Sequence, residues 1–254
     1  MRHTLRAYAA LTVLGGLLAS AAAPASEATK PVIVIVHGAW GGGWAFRQVD
    51  GLLTEKGYKV FRPQLTGQGD RVHLARPDIG LETHIDDVVN MIRYEDLHDI
   101  ILVGHSYGGI VITGVADRLP DRIKRLVYLD AFVPRDGESM RSLLGPRWDD
   151  IQSMIRDGYV VPKWVKPEQA LPHDEPQSLK TMTDAIVLHG DAAHKLPTTY
   201  ILTVREGTKP EDDEFFAQSL RAKAFGWPVL QLASDHNPQW SAPQALADLL
   251  ASIH

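Results

Sequence analysis

The sequence feature that most constrains the fold is a glycine-rich hexapeptide, Gly-His-Ser-Tyr-Gly-Gly, at residues 104–109. An apolar run of strand character at residues 100–103 precedes it, and a helix-like run at residues 110–119 follows it. A Gly-x-Ser-x-Gly pattern between a strand and a helix is typical of a sharp turn that strains the serine backbone. The hexapeptide therefore predicts that Ser106 projects from a sheet edge. Taken alone, the pattern also fits a glycine-rich turn without chemistry.

Strand-like and helix-like segments alternate on both sides of this turn. The other runs with the apolar character of buried strands are residues 31–36, 58–61, 125–129, 199–204 and 229–232. Such alternation predicts an α/β fold, in which helices cover both faces of a parallel sheet and ligands bind at the carboxyl ends of the strands.

One long interruption breaks the alternation. Between Pro134 and Pro197 no strand-like run appears in about 60 residues, although connections in such folds usually span only about two to six. Residues 135–197, the intervening segment, are therefore predicted to have a structure of their own, with one or two helices. The 254 residues, 44% of them hydrophobic, suffice for one large core. We expect a single domain over residues 29–254 that contains this insertion.

The first 28 residues have the features of a secretory signal peptide. Arg2 and Arg6 give a positive start, residues 7–23 are apolar, and Ala-Pro-Ala at residues 23–25 is a candidate cleavage site. An uncleaved membrane anchor is the alternative, but an apolar run of about 17 residues is short for a membrane span. We expect export to the periplasm or the medium, without a stable membrane anchor after cleavage.

Composition excludes several classes of function. The net charge is −5 and no basic run is present, so the electrostatic signature of a nucleic-acid-binding protein is missing. The absence of cysteine excludes disulfides, a thiol nucleophile and thiolate metal ligands. The histidines and carboxylates at residues 173–175 and 189–194 lack metal-ligand spacing, and we interpret both stretches as solvated loops. No metal and no cofactor are therefore expected.

Four polar residues follow directly after predicted strands, and a single parallel sheet would bring them to one edge: His37, Ser106, Asp130 and His236. A serine hydroxyl needs a base within hydrogen-bond reach, and that base needs an acid to orient it. His236 lies between the last strand and the last helix, where the base belongs in the order serine, acid, histidine. Ser106 is therefore the candidate nucleophile and His236 the candidate base.

The acid has two candidates. Asp130 ends the strand after the serine turn, and Glu206 follows the next strand. Apolar residues flank Asp130, whereas Glu206 stands in a charged stretch where solvent and ion pairs would surround it. We favour Asp130, because a buried aspartate is costly without a partner and histidine would be that partner.

An oxyanion formed at Ser106 would need two backbone donors. The amide of Tyr107, next to the serine, and that of Ala39, in the glycine-rich loop after the first strand, are the candidates. Large aromatic residues are the candidates for lining a substrate pocket: Trp40, Trp44, Phe132, Trp148 and Trp164.

These motifs together carry a family resemblance. The segments at residues 36–44, 104–109, 129–134 and 235–236 resemble the α/β-hydrolase superfamily, in particular the branch of plant methylesterases and hydroxynitrile lyases and its bacterial carboxylesterase relatives. The resemblance covers essentially the whole chain after the leader. It implies the α/β-hydrolase fold, a mainly parallel sheet with helices on both faces, and it makes the intervening segment a helical cap insertion.

Three positions separate esterases from lyases in this branch. Hydroxynitrile lyases typically carry threonine, glutamate and lysine where this chain has Gly38, His105 and Asn237, so all three take the esterase side. The acid departs from the pattern, since the branch usually has an aspartate where this chain offers only Glu206. Some relatives, including certain haloalkane dehalogenases, place the acid where Asp130 stands; dehalogenation itself needs an aspartate in place of Ser106.

The resemblance implies a serine carboxylesterase that cleaves small to medium-sized, mainly apolar esters through an acyl-enzyme. The alternatives are a lyase or a cofactor-free perhydrolase that uses the same three residues, and a receptor-like member of the fold that binds ligand with little turnover. The expected partner is a small-molecule ester, and the sequence does not predict an oligomeric state.

Overall fold

The structure is a computed structural model that describes residues 30–253. The predicted signal peptide at residues 1–28 lies outside the described residues. Among the helices of residues 30–253, none combines the length and the apolarity that a transmembrane span requires.

A six-stranded parallel sheet forms the centre of the molecule. Its strands are β1 (Ile33–Val36), β2 (Val60–Phe61), β3 (Ile100–His105), β4 (Ile123–Leu129), β8 (Thr198–Val204) and β9 (Val229–Ala233). They lie in the order β2-β1-β3-β4-β8-β9, and every pairing is parallel. Val36 pairs with Gly104, and His105 pairs with Leu129. This register brings the carboxyl ends of β1, β3 and β4 to one edge of the sheet.

Helices cover both faces, as the alternating sequence predicts. The larger helices are α1 (Arg47–Glu55), α2 (Leu81–Tyr94), α3 (Gly108–Arg118), α8 (Phe216–Ala224) and α10 (Pro243–Ser252). α1 and α10 pack on the face of β1 that carries Ile33 and Ile35, whereas α2 and α3 pack on the face that carries Val34 and Val36. Because successive side chains of a strand point to opposite faces, β1 contributes to both apolar layers and is fully buried.

The intervening segment consists of short elements. It contains the helices α4 (Met140–Leu144), α5 (Trp148–Gln152), α6 (Leu179–Thr183) and α7 (Ala192–Lys195), and the strands β5 (Ile155–Arg156), β6 (Tyr159–Val160) and β7 (Gln177–Ser178). The three strands form a small antiparallel sheet of their own. The sequence predicts no strand in this segment, because strands of two residues are too short to produce an alternating pattern. Trp148 and Met182 of the segment join the apolar layer that contains α3.

A last short helix, α9 (Pro238–Ser241), lies between β9 and α10. It follows the loop that carries His236, so that loop is held between a strand of the central sheet and a helix turn. The fold thereby brings the predicted nucleophile, acid and base to the same edge of the sheet from three distant parts of the chain.

Candidate active site

Ser106 lies at the sharp turn between β3 and α3, and its φ of 54° is in the left-handed region. Its backbone N–H donates to Leu129 O at 3.2 Å, and its carbonyl oxygen accepts from Phe132 N at 3.2 Å. A Cβ on Gly108 would lie 2.6 Å from Val36 O, so only glycine lets the helix start this close to β1. The hexapeptide therefore forms the strained strand-to-helix turn that its sequence predicts.

His236 connects the serine to a carboxylate. Its Nε2 lies 3.1 Å from Ser106 Oγ, and its Nδ1 lies 2.7 Å from Asp130 Oδ2. With the proton on Nδ1 donated to the carboxylate, Nε2 is free to accept the hydroxyl proton of the serine. The ring of Phe215 stacks on the imidazole with centroids 4.7 Å apart and holds its plane. This is the geometry that activates a serine nucleophile.

Asp130 is the carboxylate that the fold places next to His236. It follows β4, is fully buried, and has a φ of 44°. Its Oδ1 accepts from Thr203 N at 3.1 Å while Oδ2 faces His236, so both carboxylate oxygens have a hydrogen-bond partner. Glu206, the alternative acid, lies in the turn after β8 and is exposed. The structure therefore joins Asp130, and not Glu206, to the histidine.

A second carboxylate lies close behind this pair. The pKa of Asp213 is raised to about 6. Burial is the larger cause, and the negative charge of Asp130 contributes to the same shift. Asp213 Oδ1 accepts from Phe215 N at 2.8 Å, which fixes the residue whose ring stacks on His236. The surroundings of Asp130 thus disfavour a further negative charge.

Two other histidines in the site are neutral. Burial lowers the pKa of His105 to about 3, with a smaller contribution from neighbouring His236, and burial lowers the pKa of His37 to about 4. His105 Nε2 donates to the carbonyl oxygen of His236 at 2.8 Å. The residue before the serine thereby holds the backbone of the loop that carries the base.

Both predicted oxyanion donors lie beside Ser106. A Cβ on Gly38 would lie 3.0 Å from Ser106 Cβ, so the loop that carries Ala39 packs directly against the serine. Neither the Ala39 nor the Tyr107 amide donates a hydrogen bond to another described residue. Neither N–H group is therefore committed to an acceptor within residues 30–253, as an oxyanion donor requires.

The loop after β1 is fastened to the intervening segment through Trp40. This residue has a φ of 62°; its backbone N–H donates to Gln177 Oε1 at 2.7 Å, and its carbonyl oxygen accepts from Glu175 N at 2.8 Å. Its indole Nε1–H donates to Val160 O at 3.0 Å. A strained conformation persists only where its surroundings enforce it, and here three hydrogen bonds to the intervening segment do so.

A cleft of about 380 Å³ opens in front of Ser106 and His236. Two of the five predicted pocket residues, Trp40 and Trp164, line it. The other three do not. Trp44 stacks behind Trp240 with centroids 5.9 Å apart, while Phe132 and Trp148 are buried in the core. Sequence alone could not separate these roles, because an aromatic residue suits a core and a pocket equally well.

Trp240 and Asp174 are among the cleft residues that the sequence analysis did not identify. Trp240, in α9, follows the base by four positions, and this proximity was a usable signal. Asp174 belongs to a stretch that we interpret as a solvated loop; the stretch is a loop, but it is less solvated than expected, since this side chain is half-buried on the cleft wall. Over residues 30–253, no three histidine, aspartate or glutamate side chains converge in a way that could hold a metal ion.

Comparison with known proteins gives a consistent assignment. Residues 33–249 match the model of the "Alpha/beta hydrolase family". A carbendazim hydrolyzing esterase of Nocardioides sp. (strain SG-4G) is 37% identical over 240 residues, which cover 87% of this chain and 98% of that protein. Methylesterase 2 of Arabidopsis thaliana is 32% identical over 110 residues, 42% of each chain.

Among solved structures, an extracellular alpha/beta-hydrolase from a Paenibacillus species has a similar fold. The TM-score is 0.72 at 22% sequence identity, and the match covers 87% of this chain and 98% of that one. At this identity the likeness concerns the fold, and it agrees with the parallel sheet and its covering helices.

Proposed function

The chain belongs to the alpha/beta hydrolase family, and we propose that it hydrolyses small to medium-sized, mainly apolar carboxylic esters with Ser106 as the nucleophile. The observation that supports this most is the continuous contact from Ser106 Oγ to His236 Nε2 at 3.1 Å and from His236 Nδ1 to Asp130 Oδ2 at 2.7 Å. Similar proteins over the whole or part of the chain include esterases, which agrees with this chemistry.

In the proposed mechanism, Ser106 Oγ attacks the ester carbonyl carbon while His236 Nε2 takes its proton. Asp130 orients the imidazole and stabilises the imidazolium that forms. The amides of Ala39 and Tyr107 hold the oxyanion, which collapses to the acyl-enzyme as His236 gives its proton to the leaving alcohol. A water molecule then repeats the sequence, with His236 as base, and releases the acid.

We further propose that residues 1–28 direct export and are removed, so that the working protein is periplasmic or secreted. The helix-and-sheet segment at residues 135–197 is, in this proposal, the cap of a single domain. Support comes from the apolar leader with its small-residue cleavage site and from the packing of the segment over the layer that contains α3.

The test compares wild-type protein with Ser106→Ala. We expect kcat for p-nitrophenyl acetate to fall at least about 10⁴-fold, because removal of the nucleophile leaves only binding and oxyanion stabilisation. Covalent labelling by a fluorophosphonate should also disappear.

Ser252→Ala is the matched control, since Ser252 is exposed at the end of α10. It should label and hydrolyse as wild type does. Retained labelling of Ser106→Ala would contradict the assignment of the nucleophile. Assays of cyanohydrin cleavage and peracid formation on the same preparations distinguish a lyase or perhydrolase from an esterase.

A further inference from the structure

The cleft in front of Ser106 has an uneven distribution of charge. Among the described residues that line it there is no lysine or arginine, and a single carboxylate, that of Asp174. Two of its three histidines, His37 and His105, are kept neutral by burial, which lowers the pKa of each. Asp174 is therefore the fixed negative charge on an otherwise uncharged wall.

One oxygen of this carboxylate accepts a hydrogen bond from a neighbouring side chain, and the other has no donor within the described residues. Trp164 Nε1–H donates to Asp174 Oδ2 at 2.7 Å. Oδ1 receives no hydrogen bond from the rest of residues 30–253, and it lies 3.7 Å from the place where a Cβ on Gly41 would stand. Gly41 itself lines the cleft. Burial raises the pKa of Asp174, as expected for a carboxylate whose surroundings supply less solvation than water.

Three indole rings line the same cleft as this carboxylate. Trp40 and Trp164 meet edge to face with centroids 5.2 Å apart, and Trp240 lines the same cleft. Trp164 and Trp240 keep 53% and 51% of their surface exposed. Large exposed aromatic side chains that share one cleft indicate a binding surface. Indole faces attract cations, and tryptophan does so best among the aromatic residues.

A neutral apolar group would fit this wall poorly, because it would cover Asp174 Oδ1 without pairing it, and an unpaired buried charge is costly. An anionic group would be repelled. An ammonium group would pair with Oδ1 and contact the indole faces at the same time.

From this arrangement we propose that the cleft selects esters that carry a positively charged nitrogen, quaternary or protonated, which Asp174 and the indoles of Trp40, Trp164 and Trp240 hold while Ser106 attacks the ester carbonyl. This inference rests on the proposed esterase function, and it narrows the proposed small, mainly apolar esters to those that also carry one cationic nitrogen.

The first experiment uses pairs of esters with the same shape and different charge. In the first pair the charge is in the alcohol: choline butyrate is compared with neutral 3,3-dimethylbutyl butyrate. In the second pair the charge is in the acyl group: the p-nitrophenyl ester of 4-(trimethylammonio)butyrate is compared with that of neutral 5,5-dimethylhexanoate. In wild type, the kcat/KM of the cationic ester should exceed that of its neutral partner about tenfold in at least one pair.

The decisive variant is Asp174→Asn, whose amide oxygen can still accept from Trp164 Nε1–H. We expect the ratio of cationic to neutral kcat/KM to fall about tenfold in the selective pair. Asp150→Asn removes the same charge from an exposed position of the intervening segment and should leave the ratio unchanged. A fall of at least about fivefold, relative to both wild type and Asp150→Asn, supports the proposal; a smaller fall overturns it.

A binding measurement keeps this inference separate from the esterase proposal. Tetramethylammonium is titrated into Ser106→Ala protein while tryptophan fluorescence is followed, and the titration is repeated with Asp174→Asn added. We expect saturable quenching that weakens about tenfold in the double variant. If neutral esters are hydrolysed and neither charge selectivity nor quenching appears, the inference fails alone. If no ester is turned over but the quenching depends on Asp174, the proposed function fails alone.

Discussion

Two regions meet at the cleft and are built in different ways. The proposed catalytic centre, Ser106, Asp130 and His236, follows the carboxyl ends of three parallel strands, of which β3 and β4 are largely buried and β9 is partly exposed. The recognition wall, Trp164 and Asp174, belongs to the intervening segment, whose strands have two residues each. Asp130 is fully buried, whereas Trp164 keeps half of its surface exposed. The difference teaches that, in our two proposals, the chemistry depends on a regular scaffold and the selectivity on an irregular one.

The hydrogen bonds of the two regions differ in the same sense. Main-chain bonds of the sheet fix the catalytic centre, since Asp130 N donates to Ile201 O at 2.8 Å and Ser106 N donates to Leu129 O at 3.2 Å. The recognition wall depends on side chains, as in the bond from Trp164 Nε1–H to Asp174 Oδ2. We therefore expect substitutions in the centre to affect all substrates and substitutions in the wall to discriminate between them.

The largest effect is expected in the catalytic centre, from Asp130→Asn. The amide cannot hold His236 in the required tautomer, so kcat should fall about 10⁴-fold for every ester. Glu206→Gln, at the end of the neighbouring strand, is the matched control and should stay within about twofold of wild type, because Glu206 is exposed. Steady-state kinetics on neutral esters measures kcat for both variants. If Glu206→Gln lowers kcat more than Asp130→Asn does, the orienting acid is Glu206.

A smaller effect is expected where the two regions touch, from Gln177→Ala. The substitution removes the acceptor of the Trp40 N–H, 2.7 Å away, and should loosen the loop that carries Ala39, whose amide we propose as an oxyanion donor. We expect kcat to fall about tenfold with little change in KM, since the loss concerns the transition state more than the bound ester.

Gln152→Ala, at an exposed position of α5, controls for loss of a glutamine from the intervening segment. A change in KM alone, with kcat intact, would mean that the segment contributes to binding only. The two regions would then be more independent than the bonds of Trp40 indicate.

The smallest effect is expected from Asp213→Asn and concerns stability. Burial and the charge of Asp130 raise the pKa of Asp213 from 3.8 to about 6, so the folded chain holds this proton more tightly than the unfolded chain. The stabilisation is complete below about pH 4 and is lost as pH rises through about 6. Above about pH 6, the charged carboxylate of Asp213 destabilises the folded chain, and the asparagine of the variant has no such charge. The asparagine amide oxygen can still accept from Phe215 N.

The measurement is Tm as a function of pH. Asp213→Asn should exceed wild type by about 2 °C at pH 7.5, and the difference should vanish near pH 4. Asp149→Asn, exposed in α5, should show no such trend. A Tm difference between Asp213→Asn and wild type that stays constant across this pH range would mean that solvent or salt already screens the Asp213 carboxylate from Asp130.

The two regions also differ in how far the sequence predicted them. Ser106, Asp130 and His236 each follow a strand with a clear apolar pattern, so the carboxyl edge of a parallel sheet could be inferred to collect them. Asp174 follows no regular element, and its position depends on contacts of the folded intervening segment. Its neighbours in sequence are polar, which suggested solvent. Periodicity locates side chains only where the backbone is periodic.

The pocket aromatics illustrate the same limit. Phe132 stands two residues after Asp130, yet its ring packs against Phe215 at 5.0 Å and lies outside the cleft lining. Trp148 is buried although its segment contributes to the wall. Packing between residues distant in sequence determines which face of an irregular segment is buried. A local sequence pattern therefore does not predict it.

The spacing of the catalytic residues along the chain has a consequence for biosynthesis. Ser106 and His236 are 130 positions apart, and the loop that carries His236 follows β9, the last strand to be made. A growing chain therefore contains the proposed nucleophile long before it contains the proposed base. In the proposed mechanism, hydrolysis begins only after β9 has joined the edge of the sheet, so ester turnover would report a completed fold, and we expect a chain cut before residue 229 to carry Ser106 without reactivity.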